Sequence, residues 1–166
     1  MAKEIVDKQA LFGDLDFQTL GTNPDFKEDS VREVIILPIL KELGYQQNSI
    51  IRSKTLTHPF IKIGSKKRKI TLVPDYCLTI EDNIAWVLDA KSPEENIIDS
   101  DHIEQVYSYA SHPEVRSAYF ALCNGLEFFV YRRESTNIPV LQFYVDQIEH
   151  SWDKLYVLLS PSSFHV

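Results

Sequence analysis

No stretch of this 166-residue chain approaches the ~20 consecutive apolar residues of a membrane-spanning helix. Its first residues, Met1-Ala2-Lys3-Glu4, do not begin the pattern of basic end, apolar core and small-residue cleavage site that marks a secretory signal. The expected location is therefore the cytoplasm. Cysteine is scarce. Cys77 and Cys123 sit in separate apolar, strand-like segments and have neither zinc-site spacing nor a disulfide framework. They are expected to be buried, reduced thiols. Positive charge is in deficit, with 17 Lys and Arg against 24 Asp and Glu and a net charge of −7. That excludes coating of nucleic acid by bulk electrostatics but leaves a local contact open. The Gly-x-x-x-x-Gly-Lys-Ser/Thr phosphate loop is missing, so no ATP site and no ATP-driven motor are expected in this chain. The histidines form no metal-ligand grouping. There is no internal repeat, low-complexity segment or evident linker.

What remains is an ordinary globular balance, 44% apolar and 25% charged. The length suits one domain over residues 1–166, with a core at about 25–146. Basic residues are concentrated in Lys66-Lys67-Arg68-Lys69 and again in Arg132-Arg133.

Residues 1–21 suggest a short helix or arm. Asn23-Pro24-Asp25 resembles a helix start, with a cap residue and then proline at the first helical position. A long apolar helix is expected from there to about Leu43, stopped by Gly44 and kinked at Pro38. From Ile50 the pattern turns to β. Ile50-Ile51, Phe60 to Ile63, Ile70 to Ile80 and Ile84 to Ala90 read as strands. Gly64-Ser65 with the basic run, and Glu81-Asp82-Asn83, read as turns. Trp86-Val87-Leu88 is continuously apolar, as in a strand buried on both faces. Residues 99–111 read as a helix capped by Asp99 or Ser100, with Ile103, Val106, Tyr107 and Ala110 at helical spacing. Val115 to Leu122 and Leu126 to Tyr131 form a hairpin about Asn124-Gly125. Val140 to Val145 is a further strand, and Gln147 to Leu159 a last amphipathic helix. The order describes an α/β fold, a mixed β-sheet flanked by helices.

One stretch carries chemistry. Asp89 and Lys91 are two apart and leave one face of a strand. Counting outward from Asp82, Asp75 lies seven residues back and Asp89 seven on, so antiparallel pairing brings them together. Two carboxylates and a lysine on one face are poor packing material, because charges are rarely buried without partners. Two carboxylates are, however, hard-oxygen ligands suited to Mg²⁺, which takes its remaining ligands from water and phosphate. A lysine beside them can orient or deprotonate an attacking water and offset developing charge. A salt-bridged pair at a strand end fits the same spacing.

Pro74-Asp75, a spacer and then Asp89-Ala90-Lys91 resembles the PD-(D/E)xK nuclease superfamily. The wider pattern resembles the N-terminal nuclease domain of type I restriction enzyme R subunits, over roughly residues 25 to 131. Glu28-Asp29-Ser30-Val31-Arg32 and Ile36 through Pro38 to Leu43-Gly44-Tyr45 look like that family's opening helix. Gln105-Val106-Tyr107-Ser108-Tyr109 resembles its Gln-x-x-x-Tyr motif. Cys123-Asn124-Gly125 resembles its Thr-Asn-Gly hairpin, with Cys in place of Thr.

The resemblance implies a restriction-endonuclease-like core and Mg²⁺-dependent hydrolysis of DNA phosphodiesters, with Mn²⁺ as a substitute. Asp75 and Asp89 would bind the metal and Lys91 would act at the water. A helix glutamate would complete the acidic set. Its position relative to Arg32 and the Pro38 segment selects Glu28, whereas Glu33 also fits a capping box begun by Ser30. Gln105 and Tyr109, four apart on one helix face, would contact DNA or support the catalytic strand. Lys66, Lys67, Arg68 and Lys69 either hold phosphates or form a solvated turn. The implied partners are double-stranded DNA and, in a restriction complex, motor, modification and specificity subunits. The alternative is a catalytically inactive module of the same fold, used for nucleic-acid binding or assembly.

Overall fold

Apolar periodicity of both kinds is realised. The computed structural model describes residues 6–63 and 66–164, with backbone alone over 57–63 and 66–72. An arm carrying α1 (Lys8–Phe12) precedes one continuous helix. That helix is made of α2 (Glu28–Ser30), a π-helical segment (Val31–Ile36) and α3 (Leu37–Leu43). Strands β1 (Ile50–Arg52), β2 (Leu56–Ile63), β3 (Lys66–Leu72), β4 (Tyr76–Ile80) and β5 (Asn83–Ala90) follow. Then come α4 (Ser100–Ser111), β6 (Tyr119–Cys123), β7 (Glu127–Arg132), β8 (Leu141–Tyr144) and α5 (Ile148–Leu159).

The opening helix starts later than its sequence suggests. Asn23 caps a turn instead, its Oδ1 accepting the Asp25 N–H at 2.9 Å, and the helix begins at Glu28 behind Lys27. Proline at position 38 has no N–H and crowds the carbonyl four residues back. The helix stays continuous and meets this with a wider π turn just before it, closed by Leu37 N–H to Arg32 O. Gly44 ends it in the left-handed region, at φ 115°.

Six strands form one sheet in the order β1-β4-β5-β6-β7-β8. β5 and β6 are parallel, joined through α4, and the other neighbours are antiparallel. β2 and β3 pair separately. The basic run is therefore not a turn: Lys66 to Lys69 open β3, Lys66 pairing with Ile63, because the ladder with β2 extends that far. Gly64 and Ser65 lie outside the described residues. Likewise Ile70 to Ile80 is not one strand, since Val73, Pro74 and Asp75 separate β3 from β4.

Alternation sorts the strands into two cores. Tyr76, Leu78, Trp86, Leu88, Ala121 and Val130 pack with Ile35, Ile39, Leu40, Trp152 and Leu155 of the opening and last helices. Val6, Phe12, Phe17 and Leu20 of the arm join this layer. Cys77, Val87, Phe120, Leu122 and Phe129 pack on the other face, against Val106, Tyr109 and Ala110 of α4. Each fully buried Leu, Ile or Phe contributes roughly 1.5–3 kcal/mol. Tyr107 departs from the expected stripe. The buried row of α4 is Val106, Tyr109 and Ala110, at spacings of three and four, and this leaves Tyr107 exposed on the flank. The two cysteines are buried and free, one in each core. Among the described residues no helix is long and apolar enough to cross a membrane.

Candidate active site

At the β4–β5 turn, Glu81 and Asp82 both adopt positive φ, 50° and 70°, as a two-residue hairpin turn demands. The register shifts by one residue between Leu78 and Thr79, and beyond that point Tyr76 pairs with Leu88. Continued one step, the ladder sets Asp75 across from Asp89. Asp89 Oδ1 accepts the Asp75 backbone N–H at 3.1 Å, and Asp75 Oδ2 accepts the Ala90 N–H at 2.7 Å. The Asp75 carbonyl in turn accepts from Ser53 N–H at 3.0 Å. The two aspartates thus tie the open end of the hairpin together.

Lys91 continues the parallel ladder, its N–H reaching Cys123 O at 2.9 Å. Its Nζ lies 3.1 Å from Asp89 Oδ2 and donates to Gln105 Oε1 at 2.8 Å. Tyr109 lies one turn further along α4. Gln105, the first residue of the Gln-x-x-x-Tyr pair of α4, therefore acts as a brace for the lysine. Side-chain exposure falls to 6% at Asp89, 12% at Lys91 and 16% at Asp75, far below a surface salt bridge.

The electrostatics carry the mark of crowded carboxylates. Burial and the neighbouring Asp89 charge push the Asp75 carboxyl up to about 6, against the pull of the Ala90 N–H and Arg32. The Tyr109 hydroxyl is also raised, first by burial and then by Asp89, Asp75 and Glu28 together.

Glu28 reaches the site through Arg32. Arg32 Nη1 lies 3.0 Å from Glu28 Oε2 and 3.3 Å from Asp75 Oδ1. Among the described residues no three His, Cys, Asp or Glu side chains are grouped as ligands for an ion. The expected trio of Glu28, Asp75 and Asp89 is thus not assembled, because a guanidinium stands between Glu28 and Asp75. Two adjacent buried, hydrogen-bonded carboxylates do fit Mg²⁺, which needs only one or two protein carboxylates beside water and phosphate. Glu33 lies elsewhere, paired with Arg52 of β1 at 2.9 Å. Its capping box with Ser30 does not form, since Ser30 is already inside the helix. The side chains of Lys66 to Lys69 lie outside what the structure describes.

Sequence reasoning used Arg32 only as a landmark and missed its contacts. The i,i+4 spacing of Glu28 and Arg32 was the available signal. It also took Asn124 for a turn former alone. Asn124 Oδ1 accepts the N–H groups of Leu126 and Glu127, and Nδ2 donates to Glu95 O at 2.9 Å. The loop after Lys91 is thereby fastened to the β6–β7 hairpin. A cavity of about 410 Å³, lined by Thr22, Asn23, Phe26, Lys27, Ser92 and Pro93 among others, opens between the segments leading into Glu28 and out of Lys91.

The sheet order, the single parallel pair and the helices on both faces define a restriction-endonuclease-like α/β fold. Two solved structures share it. One is a fragment described as an HsdR subunit of a type I restriction enzyme from Vibrio vulnificus YJ016. It has a TM-score of 0.52 and 22% identity over 76% of this chain and 26% of that one. The other is the cryo-electron microscopy structure of a DrdV–DNA complex, with a TM-score of 0.51 and 11% identity over 88% of this chain and 13% of that one. The chain spans about a quarter or less of either. No family model and no curated protein matches it.

Proposed function

We propose that this chain is a Mg²⁺-dependent DNA endonuclease domain of the type found in type I restriction enzyme R subunits, or a stand-alone relative, working in the cytoplasm. The observation that carries this reading is the near-complete burial of Asp89 between the Asp75 N–H and the Lys91 ammonium. Burying a charge costs stability even when it is paired, so a carboxylate held this far from water marks a candidate functional site.

Asp75 and Asp89 would hold a divalent ion, Mg²⁺ or Mn²⁺, between their free lone pairs. The ion would supply Lewis-acid stabilisation of the phosphate and ease deprotonation of the attacking water. The chain's own residues do the rest. The Ala90 N–H fixes the Asp75 carboxylate. Lys91, held by Gln105, stands beside the carboxylates, positioned to orient the water and to offset charge on the phosphate. Tyr109, one turn on from Gln105, would flank the site. Glu28, beside Asp75 through Arg32, would be the helix-borne acid of the site, and the basic strand segment Lys66, Lys67, Arg68 and Lys69 would extend the contact along DNA. Motor, modification and specificity functions would belong to other domains or subunits.

A catalytically inactive module of the same fold is the second reading, favoured by the Lys91–Asp89 ion pair and the missing third acid. Plasmid nicking in Mg²⁺ or Mn²⁺ separates the two. Wild type is expected to convert supercoiled DNA to open circles, and Asp89→Ala and Lys91→Ala are expected not to. Cleavage surviving both substitutions removes the site assignment. Loss of Mn²⁺ binding in Asp75→Ala is the expected companion result in direct titration.

A further inference from the structure

We propose that Arg32 is a displaceable internal cation, which bridges Glu28 and Asp75 in the metal-free protein and gives up Asp75 when a divalent ion binds. The inference rests on the two-carboxylate metal site proposed above. Three observations lead to it. First, a single nitrogen, Nη1, serves both acids, at 3.0 and 3.3 Å. The longer contact is the one to Asp75. A guanidinium committed to a carboxylate normally presents two nitrogens in parallel, so this end-on contact is weak and replaceable. Second, it occupies the gap between the helix acid and the strand acid, where positive charge is most in demand. Asp75 is only 16% exposed and lies against Asp89, whose Oδ1 accepts its N–H, so Arg32 sits at the edge of two crowded carboxylates. Third, the residue can let go without disturbing the helix. Its backbone is held separately, with the Arg32 carbonyl accepting from Tyr76 OH at 3.0 Å and from Leu37 N–H in the π turn.

A doubly charged ion held by Asp75 and Asp89 would draw on the same Asp75 carboxylate and repel the guanidinium. The two therefore compete, and apparent metal affinity is lowered by the share of Asp75 that Arg32 holds. Glu28, released from sharing, keeps Arg32 close by.

Calorimetric titration of Mn²⁺ without DNA tests this on wild type, Arg32→Met and Arg32→Lys. Arg32→Met is expected to bind Mn²⁺ roughly tenfold tighter, the size of one opposite-charge neighbour's effect on a carboxylate. Arg32→Lys should stay near wild type. Unchanged or weaker binding in Arg32→Met overturns the competition while leaving the metal site intact. No Mn²⁺ binding by wild type, matching Asp89→Ala, overturns both. Should Arg32→Met not fold, ¹⁵N spectra of the wild-type arginine side chains decide. The Arg32 guanidinium signal is expected to shift on saturation with Mg²⁺, and an unmoved signal contradicts displacement.

Discussion

The two faces of β5 end differently. On one face Trp86, Leu88 and Ala90 are buried in the layer of the opening and last helices to the end of the strand. On the other, the apolar row stops at Val87, and Asp89 and Lys91 take its place. The first face is covered by several helices and the arm. The second is covered chiefly by α4, whose Gln105 meets Lys91 where an apolar core would otherwise continue. One strand can therefore carry apolar core on one side and paired buried charge on the other, with alternation keeping them apart.

Neighbouring substitutions should separate the faces. Asp89→Asn is expected to cut the nicking rate by roughly 10²–10⁴-fold. Urea unfolding should change less than in the apolar layer, because the Asp75 N–H keeps its acceptor, one repelling charge is gone, and Lys91, though it loses its carboxylate partner, keeps Gln105. Leu88→Ala should do the opposite, costing about 2–5 kcal/mol of stability while the rate per folded molecule holds. If Asp89→Asn unfolds as easily as Leu88→Ala, the difference between the faces disappears.

The titration of Asp75 sharpens the contrast. Its folded value, about 6, lies above the ordinary carboxylate value of about 3.9. The folded state thus favours the protonated form. That contribution is complete below about pH 4 and is lost as pH rises through about 6. Metal-free protein should become less stable over that window, and Mg²⁺ should remove the trend by compensating the charge. In Asp89→Asn the Asp75 carboxyl ¹³C midpoint should fall. A midpoint unchanged from wild type would mean that burial alone sets it.

On the apolar face, the Tyr45 hydroxyl donates to Leu159 O at 2.7 Å and accepts from Trp86 Nε1 at 2.8 Å. Tyr45→Phe leaves both groups buried and unpaired, and about 1–3 kcal/mol of stability should go. Nicking by the folded fraction should not change. The smallest effect is expected at Glu33. Its pair with Arg52 is exposed, so Glu33→Ala should shift stability by no more than about 0.5 kcal/mol and leave cleavage untouched. Reduced cleavage in Glu33→Ala, with Glu28→Ala active, would reverse the choice between the two helix acids.

Much of this was legible in the residues. The pairing of Asp75 with Asp89 came from counting about Asp82, and it held through two offsets. The turn centres between Glu81 and Asp82, half a residue earlier, and a bulge at Ala85 restores the register. The bulge had no signature in the sequence. The helix start was misplaced because Asn23-Pro24 satisfies the rules for a cap and for an Asx turn alike. The basic run looked like a turn because charge pattern does not show how far a hairpin ladder extends. Arg32 escaped notice because its importance arises from a contact 43 positions away in the chain.

The most direct test of the site is an anomalous difference map from crystals grown in Mn²⁺. The expected result is a peak shared by the Asp75 and Asp89 carboxylates, with Lys91 still on Gln105. Saturating Mn²⁺ with no peak at that pair, or a peak elsewhere on the chain, would contradict the site.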